Sequence, residues 1–156
     1  MSWGDHSWFR RFATMGHVVG LLLILTGSAM LLPALTSLLY GNEGDLWPLV
    51  GTAFGSTVVG LPLAWVTRDA GQLDTISATL TATFGWALVC AVSTIPFVAS
   101  GAIPSFTDAF FEVVSGYTTT GATILEDIEA VPHGLLLWRS ETHLLGGMGF
   151  MKLAVL

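Results

Sequence analysis

The strongest constraint on this chain is a series of apolar runs too long for an ordinary soluble helix. They extend from about Ala13 to Leu39, from Leu46 to Val66 and from Thr75 to Val98. Roughly 20 apolar residues in a helix cross the hydrocarbon core of a bilayer. Backbone inside lipid must satisfy its own N–H and C=O groups, so only helices and closed barrels span. Helices fit runs of this length. A fourth run, from about Leu135 to Leu156, is long enough but carries Arg139, Glu141, His143 and Lys152. Only 10% of the residues are charged and 53% are hydrophobic, whereas a soluble domain has about 25% charged residues. The apolar excess calls for lipid as solvent, and the expected fold is an all-α membrane protein.

The first run exceeds the roughly 7–15 residues of a signal-peptide core, so a retained membrane helix is expected after Arg10 and Arg11. The net charge of −6 disfavours nucleic acid as a partner. The cations are Arg10, Arg11, Arg68, Arg139 and Lys152, too scattered for a phosphate-binding face. Their placement sets orientation, because cytoplasmic loops carry the Lys/Arg excess. Arg10, Arg11, Arg68 and Lys152 fall inside, while Gly41–Asp45 and Gly101–Gly134 lack Lys and Arg and fall outside. The N-terminus is thus expected in the cytoplasm. Cys90 is the only cysteine, which excludes an intramolecular disulfide; it reads as a small buried hydrophobe.

The segment from Ser105 to Thr123 reads SFTDAFFEVVSGYTTTGAT. Ser105 or Thr107 suits a helix N-cap, and Asp108 suits the first turn. Ala109 to Val114 continues an apolar helix that Gly116 would end. Such a helix reaches only part way across a bilayer. The chain must then leave through Tyr117 to Thr123, and non-helical backbone at that depth belongs inside protein or beside water. Threonines favour an extended backbone, and Gly121 permits dihedrals that other residues resist. Carbonyls along such a strand would replace an ion's hydration shell. The C-terminal end of the short helix would add about half a negative charge.

The run from Asp108 to Thr123 resembles the first pore loop of the TrkH/TrkG/KtrB potassium transporters. Leu135-Leu136-Leu137-Trp138-Arg139-Ser140, followed by Thr142-His143-Leu144-Leu145-Gly146-Gly147-Met148-Gly149, resembles the helix after it. The looser likeness of the preceding helices extends the resemblance over nearly the whole chain. It implies a helical hairpin over residues 1–70, then one helix–pore-loop–helix repeat of a potassium-channel-like fold over residues 71–156. It implies potassium uptake across the cell membrane, with no enzymatic step and no cofactor beyond the transported ion. Filter carbonyls would come from Thr119, Thr120, Gly121 and Ala122, flanked by Thr118 and Thr123. Implied partners are further pore-loop repeats and a cytosolic nucleotide-binding gating subunit of the TrkA/KtrA kind. Family members carry four such repeats around one axis, whereas this chain carries one. The expectation is a fragment or truncated product of a longer protein, with assembly of four copies as the other route. The alternative function is a non-conducting membrane fragment or accessory subunit.

Ionisable residues within membrane helices are functional candidates by default. Glu112 and Arg139 are expected to pair and brace the pore helix, the alternative being that Arg139 snorkels to the interface. His133, Glu141 and His143 would form the best case for a metal site or membrane enzyme, but no activated nucleophile accompanies them. Lys152 is expected to snorkel inward. Gly146, Gly147 and Gly149 permit close helix approach. Asp108, Glu126, Asp127 and Glu129 surround the outer entrance, as cation attractors or as an ordinary solvated loop. Trp3, Trp8, Trp47 and Trp138 are expected as interfacial anchors.

Overall fold

The computed structural model describes residues 5–68 and 75–148, with side chains from Phe12 onward. The elements are α1 (Asp5–Ala29), α2 (Leu31–Leu39), α3 (Leu46–Val66), α4 (Thr75–Ala99), α5 (Phe106–Tyr117) and α6 (His133–Gly147). Spans of membrane-crossing length and hydropathy cover Phe12–Leu39, Leu46–Val66 and Thr75–Ala99.

The first apolar run is two helices rather than one. Proline has no N–H, and its ring crowds the carbonyl four residues earlier. Pro33 therefore disrupts the bond to Ala29, the last residue of α1. Met30 sits in the break, fully buried. Pro62 and Pro96 lie inside α3 and α4, which continue through them. The fourth run begins at His133, two residues ahead of the expected start, and its course beyond Met148 lies outside the described residues.

Helices α1 and α3 cross at glycines. A Cβ on Gly20 would lie 2.6 Å from the Ala64 nitrogen, and one on Gly60 would lie 2.8 Å from the Gly20 carbonyl oxygen. A Cβ on Gly27 would stand 2.7 Å from the Ala53 oxygen. In lipid there is little hydrophobic drive between helices, so this close backbone approach supplies the van der Waals contact. Helix α4 packs on the pair through Gly85, where an added Cβ would meet Leu22 at 3.2 Å.

Polar side chains in these helices satisfy themselves locally. Thr52, Ser56, Thr57, Thr81 and Thr94 donate to carbonyls four residues back, at 2.7–2.8 Å. That closes each hydroxyl without water, as lipid requires. Their presence therefore does not interrupt the spans.

Trp138 departs from the interfacial role. It is fully buried in the core with Phe97, Leu49 and Leu135. Its indole N–H donates to the Ser93 carbonyl at 3.0 Å. Trp47 is 74% exposed, as an interfacial anchor would be. The side chains of Trp3 and Trp8 lie outside the described residues.

Replacing Gly20 by Val is expected to destabilise the bundle by about 1–3 kcal/mol through overpacking. A Cβ on Gly51 meets nothing within 4 Å, so Gly51→Ala should leave stability unchanged or slightly raised. Thermal unfolding in detergent compares the two variants.

Candidate functional site

Helix α5 begins where the sequence places a cap. Ser105 is extended (φ −80°, ψ 122°), and its Oγ accepts the Asp108 N–H at 3.4 Å. Twelve residues give a helix of about 18 Å at 1.5 Å per residue. That is little over half of the ~30 Å hydrocarbon core. Gly116 does not end it. The helix runs on to Tyr117, and Gly116 is buried against α6, where a Cβ would collide with the Thr142 hydroxyl. Gly146 similarly lets α6 pass against the Tyr117 backbone. Glycine serves helix contact here, not termination. The Tyr117 hydroxyl meets Ser93 Oγ of α4 at 3.1 Å.

The chain turns out of α5 through three backbone bonds: Thr118 N to Val114 O at 2.9 Å, Thr119 N to Gly116 O at 2.8 Å and Thr120 N to Ser115 O at 2.9 Å. It does not then run as a uniform strand. Thr119 has φ +55° and Gly121 has φ +76°. Glycine adopts this region freely, but for a β-branched threonine it is an outlier. Such residues cost on the order of 1–3 kcal/mol each and cluster at functional sites. Thr119 Oγ1 donates to the Thr118 carbonyl at 2.7 Å, and the Thr118 and Thr120 hydroxyls meet at 2.7 Å. Residues 118 to 124 are all exposed.

What holds the segment is a buried carboxylate. Glu112 is 1% exposed. Its Oε1 accepts Arg139 Nε at 2.5 Å. Its Oε2 accepts both the Thr123 hydroxyl at 3.0 Å and the Ile124 N–H at 3.1 Å. One side chain of α5 thus ties α6 to the chain at Thr123 and Ile124. One helical turn later, the Ser115 hydroxyl donates to the Ala122 carbonyl at 2.6 Å.

A second anchorage lies in the loop before α3, which the sequence marks only as a connection without Lys or Arg. Glu43 Oε2 accepts the His133 N–H at 2.8 Å and meets His133 Nδ1 at 2.9 Å. The His133 ring stacks on Tyr40 with centroids 4.1 Å apart. Asp45 is fully buried, accepts the Ser37 hydroxyl and packs against Gly134, where no Cβ would fit. Two carboxylates therefore meet the N-terminal turn of α6, the end of a helix that favours negative charge. The Glu43 carboxyl is held below its ordinary value of 4.5, chiefly by the hydrogen bond from the His133 side chain and then by that from its backbone N–H. A proline and a histidine opening an apolar run were the available signals; the partner loop, about 90 residues earlier, was not visible in them.

His133, Glu141 and His143 do not converge. His133 belongs to the Glu43 contact, and His143 Nδ1 bonds the Arg139 carbonyl at 3.0 Å. Among the described residues no group of three or more His, Cys, Asp or Glu could hold a metal ion. Asp108, Glu126, Asp127 and Glu129 are exposed, and Asp127 accepts the Glu129 N–H at 3.1 Å. Gly149 and Lys152 lie outside the described residues.

Apolar helices of spanning length around a half-length helix and a strained, exposed segment define an all-α membrane protein. Residues 51–156 match the TrkH family, described as cation transport protein, and the chain belongs to that family. It is 37% identical over 146 residues to the Trk system potassium uptake protein TrkH of Salmonella typhimurium, covering 92% of this chain and 30% of that protein. It is 34% identical over 141 residues to the Trk system potassium uptake protein TrkG of Escherichia coli, covering 89% and 29%. An uncharacterized cation transporter of Methanocaldococcus jannaschii is 29% identical over 140 residues, covering 90% and 29%. The chain thus spans about 30% of the length of the curated relatives it matches. The family is one of transporters, not enzymes.

Two outcomes test the anchorages. Glu112→Gln and Arg139→Gln should each cost about 3–5 kcal/mol, because either leaves a buried charge unpaired. The double variant should cost clearly less than their sum, and thermal unfolding in a double-mutant cycle measures the coupling. For Glu43 the folded-state pKa is depressed, so its contribution is full above the ordinary carboxylate pKa and is lost as pH falls through the lowered value. The stability gap between the wild type and Glu43→Gln should be flat above about pH 5 and close at more acid pH, read from melting curves across a pH series.

Proposed function

We propose that the protein built on this chain takes up potassium across the cell membrane through a carbonyl-lined filter. Thr119, Thr120, Gly121 and Ala122 are the ion-facing residues, with Thr118 and Thr123 flanking and Glu112 and Arg139 as structural support. The observation that carries this reading is the strained, exposed segment after α5, with its left-handed Thr119 and Gly121, fixed to a buried Glu112. A left-handed residue reverses the local turn of the backbone, so successive carbonyls need not alternate sides as they do in a flat strand. Carbonyls gathered on one side replace water around a weakly hydrated cation, and no covalent chemistry is needed. The C-terminal dipole of α5 adds negative potential at the same place. The family match and the potassium uptake relatives support cation selectivity of the potassium type.

One strand cannot surround an ion, so further pore-loop repeats complete the ring. The division into a hairpin over 1–70 and a pore-loop repeat over 71–156 belongs to the same reading, as does a cytosolic TrkA/KtrA-type gating subunit. The N-terminus lies in the cytoplasm. The Glu43–His133 contact supports this orientation, since it joins at one end the two connections that lack Lys and Arg.

The test replaces the matching first third of the Salmonella TrkH with this chain and expresses the chimera in an uptake-deficient bacterium. Growth at low potassium, lost on Gly121→Asp, is the expected result. No growth despite confirmed membrane insertion overturns the reading. The chain expressed by itself in the same host separates self-assembly from dependence on other repeats.

A further inference from the structure

Beyond the filter residues themselves, one side chain of α5 has a geometry that the transport reading does not use. Ser115 is 4% exposed, and its hydroxyl donates to the Ala122 carbonyl at 2.6 Å. The neighbouring carbonyls differ. Among the described residues, those of Thr119, Thr120 and Gly121 receive no hydrogen bond, while the Ala122 carbonyl is turned toward the pore helix. A carbonyl held by a buried hydroxyl has less freedom and less negative charge to offer an ion than one left open. The bond also closes a short loop: Ser115 accepts the Thr120 N–H through its own carbonyl at 2.9 Å. Thus both the backbone and the side chain of Ser115 grip the segment, at Thr120 and at Ala122, on either side of the left-handed Gly121.

We infer that Ser115 is a specificity-determining positioning residue. By pinning the Ala122 carbonyl against α5, it leaves the carbonyls of Thr119, Thr120 and Gly121 as this repeat's ion ligands. The inference rests on the filter reading and narrows its four ion-facing residues to three, with the Ala122 carbonyl as the brace behind them. Without the hydroxyl, the Ala122 carbonyl is released, the backbone around Gly121 relaxes, and the spacing that favours potassium over the smaller sodium ion is lost. Glu112 still holds Thr123 and Ile124, so the segment stays attached.

The experiment uses the Salmonella TrkH chimera carrying this chain, in which the other repeats complete the ring, in lipid nanodiscs with carbon-13 at the alanine carbonyls. The Ala122 resonance is assigned by its absence in Ala122→Gly. Melting is followed against potassium and sodium, with N-methylglucamine as the non-binding cation, for the wild type, Ser115→Ala and Ser115→Thr. The expected result has two parts. The Ala122 resonance moves in Ser115→Ala and returns toward its wild-type place in Ser115→Thr. The potassium-over-sodium preference falls roughly three- to tenfold in Ser115→Ala, the worth of one hydrogen bond, and recovers in Ser115→Thr. An unmoved Ala122 resonance overturns the inference whatever the cations do. So does an equal loss of melting temperature in all three salts with the preference intact, because that is a packing effect alone. A wild type that responds to no cation overturns the filter reading, and the specificity role falls with it. A moved resonance in that case shows that the bond itself was read correctly.

Discussion

A carboxylate taken out of water into a membrane protein loses several kcal/mol of hydration unless hydrogen bonds and opposite charge replace it. Glu112 has both. Arg139 meets one oxygen, and the Thr123 hydroxyl and Ile124 N–H meet the other. The packing of α5, α6 and the segment between them depends on this arrangement. It joins the short helix, the segment that follows it and the next spanning helix at one point. It also gives the charge in α6 a partner at the depth where Arg139 sits, 18% exposed at its side chain. A neutral hydrogen bond would tie the loop to the helix, but would leave the arginine to find its own counter-charge. The ion pair does both at once.

Around that point the structure divides its polar groups by solvent. In the spans, hydroxyls such as those of Thr52, Thr81 and Thr94 close onto their own helix. At the end where α2 meets α3, carboxylates reach across to another element: Glu43 and Asp45 meet the first turn of α6. Negative charge there complements the helix dipole and fixes where α6 starts. Since Arg139 is less than two turns further along, the loop of the N-terminal hairpin also helps to set the height of the Glu112 contact. The hairpin is therefore more than a membrane anchor. It shares a boundary condition with the segment that follows α5.

Much of this was legible in the sequence, for identifiable reasons. The spans were legible because lipid imposes a minimum length of apolar helix, and α3 and α4 begin where expected. The cap at Ser105 was legible because capping is local. The opposite charges of Glu112 and Arg139 marked both as unusual in membrane helices, which made each a candidate partner for the other. Local rules failed where distant packing decided the outcome. Gly116 looked like a helix stop, but α6 needed the space it leaves. Trp138 looked like an interfacial residue, but α4 offered its indole a carbonyl. Asp45 looked like an ordinary acidic turn residue and is buried against Gly134. The left-handed Thr119 was hidden for a different reason. Its intrinsic preference is the opposite conformation, and only the surrounding bonds impose the other.

That imposed conformation has an energetic cost that the surrounding bonds must meet. A threonine at φ +55° stores conformational energy, and relaxation toward an ordinary strand would release it. The segment is gripped from the α5 side, by Ser115 at Thr120 and Ala122 and by Glu112 at Thr123 and Ile124, while residues 118 to 124 are exposed. Under the filter reading proposed above, bracing from the α5 side leaves the opposite side open to an ion, and a contact there would occupy the positions that carbonyl coordination requires. The strain and the one-sided grip are therefore two aspects of one constraint. The backbone must be held in an unfavourable shape by groups that all stand behind it, and α5 provides them at residues 112 and 115, three apart on neighbouring turns of one helix face.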